Sequence, residues 1–223
     1  MRLRITFSKS SALRYTGHLD LQKIWERTAR RAGLLLAYSK GFHPLPKIQL
    51  AAALPLGFSS RAELVDIWLE SAGFDPQMAI LLQNAASPGL GILKIEEVDI
   101  HAPPLQTQVV SSEYEVTLLE PGTGSGLTRS LSAVMEAASL PRQRRGKDYN
   151  LRPLIEELAI KPDPSGGYDE KIKVFMRLAS RAGATGRPEE VLEVLGISPE
   201  GTRIERVHLI LDSGLKSGLE SPN

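Results

Sequence analysis

Residues 14–57 read RYTGHLDLQKIWERTARRAGLLLAYSKGFHPLPKIQLAAALPLG, and their reading sets the order of the elements around them. Leu21, Ile24, Trp25, Thr28, Ala29 and Ala32 recur at helical spacing, which predicts an amphipathic helix over about residues 17–32. Thr16 is expected to cap it and Gly33 to end it. Its other side carries Lys23, Arg27, Arg30 and Arg31. After a loop with two prolines, Ile48, Leu50, Ala52 and Leu54 alternate as a strand, closed by the Pro55-Leu56-Gly57 turn. Upstream, Leu3, Ile5 and Phe7 alternate with Arg2, Arg4 and Thr6, predicting a half-buried strand with a basic outer face. Downstream, Val65, Ile67 and Leu69 alternate with Leu64, Asp66 and Trp68 in a further strand. Asp75-Pro76 is a helix start with a proline at its first position, and residues 92–100 form a fourth strand. The order is β-α-β-β-α-β.

The rest of the chain repeats this order more loosely. HAPPLQTQVV, residues 101–110, reads as a linker. A strand over 113–119 and a helix marked by Leu127, Leu131, Val134, Met135 and Ala138 follow. LPRQRRGKDYNLRPLIEELAI reads as a strand, a bend and a short helical or extended piece. Then come a strand over 168–179, a helix over 188–195 begun by a proline and ended by Gly196, and a last strand over 202–211. The expected fold is α+β: two tandem ferredoxin-like modules with antiparallel sheets, over 1–100 and 111–212, with a frayed tail over 213–223.

The 223-residue chain carries a net charge of +1, but residues 1–50 hold ten Lys/Arg against two Asp/Glu and the remainder seventeen against twenty-four. Such asymmetry is the footprint of a polyanionic partner. No cysteine is present, which excludes disulfides, thiolate metal sites and an iron–sulfur cluster held by cysteines of this chain. No apolar run approaches the roughly 20 residues that span a bilayer and MRLRITFSK lacks a signal peptide's apolar core, so the cytoplasm is expected and no membrane association.

The helix concentrates like charge on one face, and the loop SKGFHPLPK adds Lys40 and Lys47 around two rings, Phe42 and His43. Basic residues interleaved with flat rings suit single-stranded or extruded bases. Phe42 taken alone is expected in the core; for the whole loop, binding is favoured. A second basic cluster, Arg142, Arg144, Arg145, Lys147 and Arg152 with Tyr149, would extend the groove if it packs near the first helix, and is otherwise a charged, protected hairpin edge. His18, in the first helical turn, is expected to be neutral because the helix dipole disfavours its charge. His101 and His208 read as structural. No local histidine or carboxylate spacing makes a metal site, and there is no P-loop, GxGxxG, GxSxG or HExxH. Glu63 and Asp66 fall on opposite faces of one strand and form no carboxylate pair.

His18-Leu19-Asp20, the arginines of the helix, Tyr38-Ser39-Lys40-Gly41-Phe42-His43-Pro44, Pro55-Leu56-Gly57 and Glu63 together resemble the signature of the radical SAM-linked proteins, a bacterial domain of unknown function. Tyr149-Asn150-Leu151-Arg152-Pro153 is similar to a further element of that family, with Asn150 where an acid is common. The resemblance implies a protein encoded beside, or fused to, a radical SAM enzyme; that partner, not this chain, would carry the iron–sulfur cluster and S-adenosylmethionine. The expected function is an accessory, non-catalytic module that binds tRNA or rRNA. Lys23, Arg27, Arg30, Arg31, Lys40 and Lys47 would neutralise phosphates while Phe42, His43 and Tyr149 contact bases or riboses. Two alternatives stand beside it. One is a metal-independent endoribonuclease with His18 or His43 as base and Arg31 or Lys40 on the phosphate, resembling CRISPR repeat-processing endoribonucleases in architecture only. The other is a protein–protein adaptor for the radical SAM partner.

Overall fold

The computed structural model describes residues 1–71, 73–119, 126–161 and 172–212; the expected tail over 213–223 lies outside them. The first half runs β1 (Arg2–Lys9), a 3-10 turn (Ser11–Tyr15), α1 (His18–Arg31), β2 (Ile48–Leu50), β3 (Ser59–Trp68), α2 (Pro76–Ala85) and β4 (Leu90–Val98). The second runs a helical turn, α3 (Leu105–Gln108), then β5 (Val109–Leu118), α4 (Leu127–Glu136), the hairpin β6 (Pro141–Arg144) and β7 (Lys147–Asn150), β8 (Ile155–Lys161), β9 (Lys173–Arg181), β10 (Ala184–Thr185), α5 (Pro188–Val194) and β11 (Thr202–Leu211). The fold is α+β, with a mostly antiparallel sheet.

Nine strands form one sheet in the order β10-β9-β5-β11-β3-β1-β4, with β2 on β3 and β8 on β9; β6 and β7 pair separately. Within the first half the strand order is β4-β1-β3-β2, and within the second β11-β5-β9-β8, every pair antiparallel. The halves meet where β11 lies parallel to β3, through Glu205 opposite Ser59 and Arg206 opposite Ser60. The same edge of β3 accepts β2 further along, at Asp66 opposite Gln49.

The register carries one face across the seam. Lys9, Ser60, Arg206, Tyr114 and Met176 lie side by side on β1, β3, β11, β5 and β9. On that face α1 seals the first core: Leu21, Trp25 and Ala29 are buried with Leu3, Ile5, Phe7, Val65 and Ile67. Trp25 meets Phe7 edge to face, with centroids 4.9 Å apart, a geometry worth roughly 1 kcal/mol beyond the area it buries. The second core gathers Tyr114, Val116, Val174 and Met176 under Leu131, Val134, Val191 and Leu192.

The opposite face of β1 departs from expectation. Arg2 and Arg4 do not face solvent: Arg2 is only 1% exposed, and both arginines bond Asp66 across the strand pair. Residues 102–108 cover them. Ala102 and Pro103 accept from Arg2, Gln108 accepts from Arg4, and Leu105 is buried with Ala51, Val109 and Leu209. A buried guanidinium needs acceptors on most of its five donors, and here carbonyls of the segment expected as a linker supply some of them.

Candidate nucleic-acid interface

Helix α1 begins one residue later than expected, and its cap is Gly17 without a side-chain bond. Thr16 is not the cap; its hydroxyl donates to Leu13 O at 2.6 Å, closing the preceding 3-10 turn. The helix ends as read, with Gly33 at φ +72°, and Gly33 N and Leu34 N bonded to Arg30 O and Ala29 O, the pattern of a left-handed terminator.

The outer side of α1 is open. Lys23, Arg27, Arg30 and Arg31 are all exposed. Lys23 stands 3.9 Å from Asp20, Arg30 bonds Glu26 and the Tyr38 hydroxyl, and Arg31 bonds Ser87 and the Arg27 carbonyl. Arg27 has no side-chain partner among the described residues and is open to an anionic one.

The loop beyond is held at its neck. Tyr38 bridges Pro46, Lys47 N donates to Ala37 O, and Ser39 closes a ring with Leu45 through its own N–H and hydroxyl. Gly41 takes φ +139°, a conformation L side chains avoid. Residues 40–45 and Lys47 are all exposed. Phe42, expected in the core, is instead 102% exposed. The ring-closed neck and Pro44 hold the tip away from the sheet, and Phe42 joins no hydrophobic cluster among the described residues. His43 and Lys40 share this tip.

The second cluster has a different fate. Arg145 (φ +50°) and Gly146 (φ +75°) form the β6–β7 turn, with Lys147 exposed beside them. Arg144 makes a two-pronged pair with Glu190 of α5, donates to Thr185 O and lies 4.8 Å from the Tyr149 ring centre. The Glu190 bond raises the Arg144 pKa, and burial raises that of Tyr149. Arg152 donates to Met135 O and Ile155 O. Arg142 Nε is buried without a partner among the described residues. Arg144 and Arg152 are thus fastened to the second half, and no hydrogen bond or ion pair among the described residues ties the hairpin to α1.

His18 is half-buried at the start of α1. Burial lowers its pKa, with Arg206 adding to that and Glu63 opposing it. The direction is the one expected; the leading cause is desolvation rather than the helix dipole. His43, His101 and His208 are exposed, and His208 Nδ1 stands 3.8 Å from Glu113.

What the sequence reading missed is the polar row at the seam. Arg206, 1% exposed, pairs with both oxygens of Glu63 and donates to Ala53 O at 3.0 Å. Lys9 is equally buried and donates to Thr16 O at 2.9 Å. Burial lowers its pKa, Arg206 lowers it further and Glu63 opposes them. The signal was present: Lys9 and Glu63 each break an apolar alternation on the covered face of a strand. Among the described residues no group of histidines and carboxylates is placed to hold a metal ion, and no helix is long and apolar enough to cross a membrane.

A mixed α+β fold with one sheet assembled from two halves, a cationic helix and a projecting ring-bearing loop defines the class. The chain belongs to the DUF2344 family, described as an uncharacterized protein conserved in bacteria, whose model matches residues 2–190. In structure it is similar to a chain in the crystal structure of a Cbf5-Nop10-Gar1 complex, with TM-score 0.50 and 7% identity over 93% of this chain and 48% of that one. This chain therefore spans about half the length of that relative, and the likeness is one of fold. A structure of an unknown protein from Galdieria sulphuraria aligns over 94% of this chain and 98% of its own, with 13% identity and TM-score 0.27. No curated protein matches the sequence.

Proposed function

We propose that the protein is an accessory RNA-binding module, for tRNA or rRNA, that works beside a radical SAM enzyme in RNA modification. Its contact surface is the outer side of α1 with the 39–47 loop. In the same proposal the two halves are tandem ferredoxin-like modules joined edge to edge, and the partner carries the cluster and S-adenosylmethionine. The observation that carries this reading is Phe42: a fully exposed ring on a braced loop between Lys40 and Lys47, next to a helix with four exposed cations. Burying such a ring against other apolar groups is favourable, so its exposure calls for a partner with a flat apolar face. A base stacked on it and phosphates near Arg27 and Lys40 meet both demands.

The exposed Leu19, Leu35 and Leu45 near this surface favour a second reading, in which the same face docks on the partner enzyme. Filter retention of total bacterial RNA across a salt series separates the two. RNA binding predicts retention at low salt that falls steeply as salt rises and weakens in Phe42→Ala. Absence of retention at low salt would overturn it and leave the docking role.

A further inference from the structure

At one end of the seam two adjoining cavities, of about 350 and 330 Å³, open between the halves. Arg14, from the 3-10 turn of the first half, and Arg203, from β11 of the second, line both. The first cavity is polar and also holds Arg61 and Lys173. Arg61 is engaged by Glu115 and Glu205, whereas Arg203 has no ion pair among the described residues. The second is walled by Tyr15, Leu56, Phe58 and Ile204, and Glu189 and Glu200 also line it.

Two buried polar atoms here lack a partner among the described residues, and they have opposite hydrogen-bonding character. Arg14 Nε is a donor without an acceptor, and Glu189 Oε2 is an acceptor without a donor. Both residues line the second cavity. Buried polar atoms are nearly always paired, so each orphan calls for a cause. One ligand bearing an anionic oxygen and an N–H edge would satisfy both. Burial also pushes the Glu189 carboxyl up, and a donated N–H would restore its ionised form.

We propose that this seam cleft binds a nucleoside phosphate. The phosphate sits between Arg14 and Arg203, where forked guanidiniums match its oxygens. The base lies against Tyr15 and the apolar wall and presents its N–H edge to Glu189. The combined space falls within the range of small-ligand pockets. The unit is either a free nucleotide or one residue of an RNA chain. The site shares no residue with the α1–loop surface, so each proposal can fail without the other.

Calorimetric titration of the full chain with GMP, AMP, CMP, UMP and ribose 5-phosphate tests it, with a 5′-phosphorylated oligoribonucleotide as a further arm. At least one mononucleotide binds about tenfold or more tightly than ribose 5-phosphate, the factor one good hydrogen bond to a charged group supplies. Arg14→Gln and Glu189→Gln each weaken it by a similar factor, and Arg27→Ala leaves it unchanged. Arg203→Gln, on the exposed end of a strand, replaces Arg14→Gln if that variant melts early. An oligonucleotide that binds more tightly than its mononucleotide and depends on Arg14 identifies RNA as the source; one that binds no better identifies the free nucleotide. The proposal is overturned if no mononucleotide or oligonucleotide binds in the millimolar range, or if binding is unmoved by Arg14→Gln, Arg203→Gln and Glu189→Gln.

Discussion

Arg2 and Arg4 on β1 and Arg27 and Arg31 on α1 all lie within the first thirty-one residues, yet they end in opposite environments. The β1 pair is buried, clamped on Asp66 and sealed by residues 102–108. The α1 pair is exposed, and Arg27 has no acidic partner among the described residues. Both look alike in the sequence, as arginines opposite an apolar stripe. The difference teaches that periodicity assigns a side chain to a face, while only tertiary packing decides whether that face is covered. A basic count in a sequence therefore overstates the charge offered to a partner.

The sharpest way to break the comparison is at Asp66. Asp66→Ala leaves two buried guanidiniums without their carboxylate and should cost about 3–5 kcal/mol of stability, read from urea unfolding. A loss below about 1 kcal/mol, the range of an exposed pair, would mean that the β1 arginines are no more buried in effect than those of α1. Next is Phe42→Ala, which should lower RNA affinity by about tenfold, since stacking on one base is worth roughly 1–3 kcal/mol. Its unfolding midpoint should not move, because the ring is fully exposed.

The hairpin sharpens the comparison from the other side. Arg144 is largely covered by Glu190, Thr185 and Tyr149. Arg144→Ala should cost about 1–2 kcal/mol of stability, as hydrogen bonds to a charged group do when partly screened, with RNA affinity unchanged. A large affinity loss with stability intact would return the second cluster to the binding surface.

The smallest effect is at His18. Burial holds its folded pKa below the unfolded value of about 6.5. As pH falls through that unfolded value the unfolded chain takes up the proton first, so stability declines; above it the contribution is constant. His18→Gln should flatten the stability profile as pH falls through and below about 6.5, and an unchanged profile would show that His18 does not titrate differently on folding.

The first half was legible because its signals are local. The α1 stripe, Gly33 and the β3 alternation each fix an element within a few residues, and β-α-β-β-α-β follows from them. The seam was not, because β3 and β11 pair through only two residue pairs across some 146 residues of chain, and no local pattern announces such a contact. The β6–β7 hairpin was blurred because its two-residue turn places Arg145 at positive φ ahead of Gly146, where asparagine, aspartate or glycine is the usual first residue. Residues 101–108 read as loose because two prolines hide a helical turn whose Leu105 is fully buried. At the proposed site the charges were visible and the exposure was not: Phe42 belongs to a residue type that usually packs inward, and the braced neck of its loop together with Pro44 keeps it out.

The most direct measurement is the salt dependence of RNA binding, taken in parallel for the natural chain, for Arg27→Ala/Arg31→Ala/Lys40→Ala and for Arg144→Ala. If the cations of α1 and its loop neutralise the phosphates, the triple variant should bind more weakly, and its slope of log affinity against log salt should be shallower by about 0.7 for each phosphate left without its cation. The Arg144 variant should keep the natural slope. Equal slopes in all three proteins would place the binding charge elsewhere on the molecule and contradict the assignment of RNA to the α1 surface.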